Sequence, residues 1–404
     1  MSLRISTAMM QTLAAQQMVR QQSELVKVQQ QLSTGRRILT PADDPVGTTR
    51  AASLANSQAM LERLMANQKA AHNQIGLAEQ TIGNAQDVLQ TMRERIVQAG
   101  DASLGPSDLR SIATDLRAMK GELLAQANAR DATGGYLFSG FAQGTQPFAE
   151  AASGATYNGD QGVRMLQVGE SRTMALSESG AEVFERIRRG NGVFQTDPAA
   201  GNTGTGVIDR GAVADTTALT DHVYSVNFTV TGTITTYAVV DTTAGTTLST
   251  GNAYTSGSAI TVAGMQFAIS GAPANGDSFT ARPSANQGVF TTIANAINAL
   301  ERGQGTPADR ARFSNDIASA LADVDQALDH LGVVRGRFGI GLQELDDLQV
   351  ASDDRGIAYA AELSDVRDVD YAKTISEYLS RQQALQAAQE SYARIAQRSL
   401  FDVI

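Results

Sequence analysis

The stretch LANSQAMLERLMANQKAAHNQIGLAEQTIGNAQDVLQTMRERIVQA, residues 54–99, decides the fold of this chain. From Leu54 to Ile96 every seventh residue is apolar except Gln68, and a second seven-residue series runs beside it from Leu64 to Ala99. An apolar repeat of this period keeps one stripe on one side of a helix, and the stripe needs a partner helix to cover it. The stretch therefore predicts a long helix that packs against another helix.

A matching repeat lies far along the chain, near its other end. Apolar residues recur at seven-residue steps from Ile317 to Leu345, and their companions are apolar as well, with Arg335 as the exception. Because the two repeats are so distant, the chain must run out, turn round and come back, with a different structure at the far end. This arrangement predicts a rod-forming subunit rather than an enzyme with a pocket.

The middle of the chain has a different composition. Residues 193–284 are rich in Thr, Gly, Ala and Ser, and strand composition is found at 223–230, 236–240, 259–262 and 266–269. These segments predict a small all-β domain inserted between the helical arms. The predicted fold class is therefore mainly α with an inserted all-β domain.

Two smaller features are predicted between the first helices and the insert. Tyr136–Phe138 and Met165–Val168 have strand character on either side of an Asn158-Gly159 pair, which predicts a β-hairpin. Ser179–Arg189 predicts a short helix.

Proline and glycine mark the predicted ends of the helices. Residues 3–38 are expected to form a first helix, which Gly35 and the stretch TPADDP at 40–45 break. The following helices are predicted over residues 50–99, 106–130, 289–302 and 307–355, with a last helix after Gly356. We expect Asp43 and Asp44 to cap the second helix, because acidic side chains stabilise a helix N-terminus.

These elements predict three parts. Residues 1–45 with 362–404 form a terminal coiled-coil segment that is disordered until assembly. Residues 46–192 with 285–361 form a helical rod domain with β-hairpins, and residues 193–284 form an outer β domain.

The first and last helices are the natural pair, since both carry short apolar stripes at seven-residue spacing. Each stripe is small, so either helix would be marginal alone in water and is expected to need a partner. The predicted assembly interface consists of Ile5, Met9, Met18, Leu25, Val28 and Leu32 at one end and Tyr378, Leu385, Ala388, Tyr392, Ile395 and Leu400 at the other.

Composition excludes several classes of protein. The net charge of −10 argues against a dedicated nucleic-acid binder. No apolar run approaches the roughly 20 residues that span a bilayer, and the first residues lack the apolar core of a secretory signal. The chain has no Cys, and its three His residues stand at no metal-ligand spacing. We predict no enzyme activity, no cofactor and no metal.

Motifs at both ends resemble the flagellin family. The N-terminal motifs are LRIST at residues 3–7, QLSTGRRI at 31–38 and PADDP at 41–45, and the C-terminal ones are ALQAAQESY at 384–392 and SLFD at 399–402. Within the family, GYLFSG at 135–140, GTQPF at 144–148 and the ending LFDVI are most similar to the hook–filament junction branch, as is Pro45 after the two aspartates.

The resemblance implies a structural subunit of the bacterial flagellum that joins hook to filament. It implies export through the flagellar secretion channel without a cleaved signal, and pairing of the terminal helices around that channel. The implied partners are further copies in a ring, the other hook-associated junction protein, flagellin and an export chaperone, with no nucleic acid and no membrane. The alternatives are a filament-forming flagellin and a monomeric helical binding module.

Overall fold

The structure, a computed structural model, describes residues 7–397. Its helices are α1 (Thr7–Thr34), α2 (Pro45–Ala99), α3 (Pro106–Ala127), α4 (Val289–Glu301), α5 (Pro307–Arg367) and α6 (Tyr371–Gln397). Its strands are β1 (Phe148–Ala151), β2 (Gly154–Tyr157), β3 (Met165–Gln167), β4 (Thr173–Ala175), β5 (Ile187–Arg188), β6 (Phe194–Pro198), β7 (Val207–Ile208), β8 (Ala212–Val213), β9 (Tyr224–Thr231), β10 (Ile234–Asp241), β11 (Thr246–Ala253), β12 (Ala259–Val262), β13 (Met265–Ser270), β14 (Ser278–Pro283) and β15 (Asn286–Gln287).

The chain divides into two compact units. One unit contains the residues up to Ala66 and those from Asp347 onward, and the other contains Asn67–Asp346. In the second unit the heptad residues of α2 and α5 are buried, including Ile82, Leu89, Leu331 and Phe338. Their burial is the outcome that the seven-residue repeats predict, and the helical part of the predicted fold class is confirmed.

The inserted β domain is built on antiparallel sheets. One sheet has the strand order β11-β10-β9-β14-β6, and a smaller one has the order β12-β13-β7, with β8 also paired to β13. The core between them is closed by aromatic side chains: the Phe228 ring meets those of Phe279 and Tyr254 edge-on, with centroids 5.8 and 5.1 Å away.

Buried polar side chains of α5 attach the β domain to the helices. The Ile208 N–H donates to Asn315 Oδ1 at 2.9 Å, and Asn315 Nδ2 donates to the Gly206 carbonyl at 3.0 Å. Two turns further on, Asp323 accepts from the Gly190 N–H at 2.9 Å and from Arg189 Nε at 3.0 Å. Both side chains are buried, so the insert is held in one orientation by specific hydrogen bonds.

The second unit also contains a buried aromatic cluster. The Phe184 ring is fully buried, and its centroid lies 5.5 Å from those of Phe138 and Phe148 and 6.1 Å from that of Phe290. Phe184 sits on a five-residue π-helical turn, Ala181–Glu185, and β5 follows at once. The short helix predicted over Ser179–Arg189 is confirmed in part, as this single π-helical turn. Its predicted end is wrong, because Ile187 and Arg188 pair with β15 instead of continuing the helix.

The predicted hairpin around Asn158-Gly159 is wrong, although the strand predicted at Met165–Val168 is confirmed as β3. The hairpins observed are β1–β2 and β3–β4, and Asn158 follows β2 instead of joining two strands. Tyr136–Phe138 forms no strand and makes only one isolated bridge, between Arg130 and Tyr136. Its aromatic residues are buried from a loop, so their strand-like composition reflects burial rather than backbone pairing.

Gly356 does not end a helix as predicted, because α5 continues through it to Arg367. A Cβ added at Gly356 would lie 3.8 Å from Leu61 Cδ2, so the position packs against α2. The cost of one internal glycine is about 1 kcal/mol, which tertiary packing offsets. The other predicted helix ends move by a few residues: α1 ends at Thr34, α2 begins at Pro45 and α3 ends at Ala127.

The described part of the chain contains neither a candidate membrane span nor a cluster of metal-ligand side chains. None of its helices combines the length and the apolar character needed to cross a bilayer. Residues 7–397 also contain no group of three or more His, Asp or Glu side chains that could hold a metal ion.

Candidate assembly surface

Helices α1 and α6 pack against each other in antiparallel orientation. The Arg381 guanidinium contacts the Glu24 carboxylate, and the Val369 N–H donates to the Gly35 carbonyl at 3.0 Å. Because the two helices are antiparallel, the start of α1 at Thr7 and the end of α6 at Gln397 lie at the same end of the pair.

The seam between α1 and α6 follows the predicted stripes. On α1, Met18, Leu25 and Leu32 are half-buried and Val28 is 4% exposed. On α6, the half-buried residues include Tyr378, Leu385, Ala388 and Tyr392. Thr374, which the sequence prediction missed, is buried at the start of the α6 stripe.

Four of the predicted interface residues have other outcomes. Met9 is 59% exposed. Ile5 and Leu400 lie outside the described residues, and so does the side chain of Ile395. The role of all twelve predicted residues in contacts between subunits remains a prediction. The domain boundaries proposed from the sequence also remain predictions.

A short backbone pairing, the linker clasp, joins the two places where the helices break. It consists of Gly35–Arg37 and Arg367–Val369, in which the Arg37 N–H donates to the Arg367 carbonyl at 2.8 Å. Gly35 adopts a φ of 69°, and a Cβ there would stand 3.0 Å from the Tyr371 hydroxyl. A left-handed backbone and this close approach both require glycine.

The two aspartates of the first break have separate structural tasks. The Gly47 N–H donates to Asp44 Oδ1 at 2.8 Å, which is the bond of a capping side chain at the start of α2, as predicted. Asp43 instead holds the loop, accepting from the Thr40 N–H at 2.8 Å and pairing with Lys27 Nζ at 2.6 Å. The Lys27 ammonium and the Thr40 N–H lower the pKa of Asp43 from 3.8 to about 2.

This lowered pKa predicts an acid-sensitive junction. Because the folded-state pKa of Asp43 lies below its unfolded value, its stabilisation is complete above pH 3.8 and is lost as the pH falls towards 2. The free energy of unfolding of the wild type should therefore exceed that of Asp43→Asn at pH 5, and the difference should shrink steadily below pH 3.8. Urea unfolding followed by circular dichroism at several pH values measures both.

Lys27→Met is the matched variant for this prediction, since it removes the cation and leaves the carboxylate. It should flatten the pH dependence in the same window. A difference between wild type and Asp43→Asn that stays constant across this pH range would contradict the assignment.

Between residues 12–33 of α1 and 371–389 of α6, one side of the helix pair carries no charge, a feature that the sequence prediction missed; Glu390, one turn after Gln386, ends this stretch. A helix turns about 100° per residue, so Val19 and Val26 project from the same side of α1. In the antiparallel pair Ile375 and Leu379 lie on the corresponding side of α6. Their exposed fractions are 67%, 45%, 47% and 52% in that order. We call this surface the uncharged face; its polar members are Gln22, Gln29, Gln382 and Gln386.

The charged side chains lie on the opposite side of the pair. Between residues 12–33 they are Arg20, Glu24 and Lys27, and between residues 371–389 they are Lys373, Glu377 and Arg381. Arg381 starts in the seam and turns to this side, where Nη2 pairs with Glu377 at 2.7 Å. Reading each terminal helix for a second seven-residue series, such as Val19 and Val26, could have found the uncharged face.

Comparison with known proteins gives consistent matches. Residues 5–143 match the bacterial flagellin N-terminal helical region. Flagellar hook-associated protein 3 of Salmonella typhimurium is 26% identical over 411 residues, covering 99% of both chains. The crystal structure of flagellar hook-associated protein 3 from Legionella pneumophila is 31% identical with a TM-score of 0.74, covering 78% of this chain and 98% of that one. The flagellar junction protein FlgL from the same organism is 30% identical with a TM-score of 0.71, covering 79% and 99%.

The long paired helices, the β insert and the flagellin-type N-terminal region define a structural protein of the bacterial flagellum. Because solved relatives at 30% identity or more are covered almost completely, the chain belongs to the family of flagellar hook-associated protein 3, FlgL. The predicted fold class and the resemblance to the junction branch of the flagellin family are thereby confirmed.

Proposed function

We propose that this chain joins the flagellar hook to the filament as an axial subunit. In this proposal it assembles by packing its paired terminal helices around the export channel. The observation that carries the mechanism is the uncharged face, which presents Val19, Val26, Ile375 and Leu379 to solvent. Exposed aliphatic side chains gathered on one face of a helix pair point to a contact with another protein.

The occupant of the uncharged face is a second copy of this chain. Glutamine and aliphatic side chains can pack against an identical surface without burying charge, whereas the opposite side would bring carboxylates into a contact. Copies arranged as a ring would each contribute one helix pair to the wall of the channel. The neighbours along the axis are the other hook-associated junction protein on one side and flagellin on the other.

The weak seam of the terminal pair supports folding on assembly. Val28 and Thr374 are the only seam positions below one-tenth exposure among the described side chains of α1 and α6. In α2 and α5, by contrast, most heptad positions are buried. A helix pair with so little buried surface opens easily, and neighbouring copies would supply the missing burial.

The same weakness suits export. A chain that passes through a narrow secretion channel must be unfolded, and terminal helices of low stability reduce the work of unfolding. We infer secretion to the flagellum without a cleaved signal, with a chaperone holding the exposed terminal segments before export. The chaperone would cover the apolar residues of α6 that the assembled ring later buries.

Immunogold labelling of intact flagella with an antibody to residues 195–284 tests the proposed position. Gold in one narrow band between hook and filament is expected. Labelling along the whole filament would overturn the proposal and make the chain a filament-forming flagellin, and labelling nowhere on flagella would make it a monomeric binding module. An antibody to flagellin on the same specimens provides the control for access.

A further inference from the structure

Helix α5 contains an unusual concentration of glycine in an uninterrupted helical stretch. Gly332, Gly336, Gly339 and Gly341 fall within ten residues, and the helix continues on both sides. Relative to alanine, each internal glycine lowers the helix-forming equilibrium about fivefold. The stretch is therefore the part of α5 in which local helix propensity is weakest.

Intramolecular packing does not require two of these glycines. A Cβ added at Gly336 or Gly339 would meet no atom within 4 Å. At Gly341 the nearest atom would be Ile75 Cδ1 at 3.9 Å, and at Gly332 it would be Gln86 Nε2 at 3.5 Å, both ordinary contacts. Alanine therefore fits at these positions, and the glycines need another explanation.

The facing part of α2 is weakened at the same level. Gly76 and Gly83 lie there, and the guanidinium of Arg335 covers Gly83, whose added Cβ would stand 3.4 Å from Arg335 Cζ. Arg335 stands where the heptad series expects an apolar residue, but its side chain is 49% exposed, and its Nε contacts Glu79 Oε1 at 2.5 Å. Both helices thus combine small residues with a polar pair in one short zone.

The inner face of α5 remains anchored in this zone. Leu331 and Val334 are fully buried and Phe338 nearly so. On the solvent-facing side of α5, Gly336 and Gly339 have no side chain to cover the backbone. This side of the helix can therefore bend while the buried side stays packed. Helices kink where glycine weakens one side while packing holds the other.

We propose that residues 332–341 of α5, with 76–83 of α2, form a bending point built into the helix pair. Its role rests on the proposed function: the bend lets each subunit adapt its shape between the other hook-associated junction protein and flagellin without unpacking its core. The bending point is a property of the isolated chain, so it can be tested apart from the role.

Hydrogen exchange on the full chain, read by mass spectrometry, tests the bending point. In the wild type, amides of 336–344 are expected to exchange faster than those of 318–328 in the same helix. In Gly336→Ala/Gly339→Ala they should slow by about 25-fold, the product of two propensity gains. Gly121→Ala in α3, where an added Cβ also meets nothing within 4 Å, is the control and should leave 336–344 unchanged. Equal exchange in the two α5 segments, or no slowing in the double variant, would overturn the proposal.

Cells producing the double variant test the role. A normal gold band at the junction, with filaments lost more readily than wild type when cells swim in a viscous medium, is the expected result. Equal filament retention would overturn the adaptive role. Failure of the double variant to join the junction would also overturn it, and would mean that the glycines serve close packing with a neighbour. Absence of the wild-type band would instead contradict the proposed function, whatever the exchange data show.

Discussion

Val26→Glu combined with Leu379→Glu is expected to abolish incorporation of the subunit into the flagellum while the isolated chain stays folded. Both side chains are about half exposed in the monomer, so glutamate costs little there. If the uncharged face packs against a second copy, two carboxylates per subunit would be buried without partners. Burial of an unpaired charge costs several kcal/mol, so incorporation should fall on the order of 100-fold or more.

The measurement is the amount of subunit in purified flagella, compared with the amount exported into the medium. Leu379 is also among the α6 residues that the chaperone would cover, so the amount of incorporated subunit is divided by the amount exported; this ratio is expected to fall whether or not export is reduced. Circular dichroism of the purified chain checks that α1 and α6 are as helical as in the wild type.

A matched control places the same two charges on the other side of the helix pair. Leu13 is 46% exposed and Ser380 is exposed, and both lie on the charged side. Leu13→Glu/Ser380→Glu should be incorporated at close to the wild-type level. If Val26→Glu/Leu379→Glu were incorporated equally well, the uncharged face would not be the contact between copies.

Asp323→Ala is expected to destabilise the attachment of the β domain by about 3 to 5 kcal/mol, the usual cost of removing one partner from a buried ion pair. Asp323 is 4% exposed and receives hydrogen bonds from the Gly190 N–H and Arg189 Nε. Its removal leaves both donors without this acceptor in a buried position. Arg189 keeps longer contacts, from Nη2 to Ser319 Oγ at 3.4 Å and to Asp197 Oδ1 at 3.7 Å.

Urea unfolding followed by tyrosine emission measures this effect. The chain has no Trp, and Tyr224, Tyr237 and Tyr254 report on the insert. Asp329→Ala, six residues further along α5 and exposed, is the control and should change stability by less than about 0.5 kcal/mol. A loss below about 1 kcal/mol for Asp323→Ala would mean that the insert is held mainly by apolar contacts.

The sequence predicted well what depends on local periodicity. The seven-residue series from Leu54 to Ile96 and from Ile317 to Leu345 mark buried faces in the structure, since a helix repeats its environment at nearly that step. The strands over 224–231 and 259–262 were found for a similar reason, because β-branched and aromatic residues are concentrated there.

What the sequence missed depends on partners distant in the chain. Strand β14 pairs with β6, some eighty residues earlier, and β11 is a Thr- and Ser-rich edge strand with little apolar content of its own. Gly356 looked like a helix end because its packing against Leu61 cannot be read from neighbouring residues. The uncharged face does not follow from the stripe that closes the α1–α6 pair, because its residues belong to a second seven-residue series on each helix.

The linker clasp has a mechanical consequence. Two connections join the terminal helix pair to the rest of the chain, residues 35–44 after α1 and residues 368–370 before α6. Hydrogen bonds between Gly35–Arg37 and Arg367–Val369 hold these connections side by side. A pull on the terminal pair is then divided between two covalent strands instead of one. Because these hydrogen bonds hold the two connections side by side, axial force that passes through the subunit is carried by two peptide backbones in parallel.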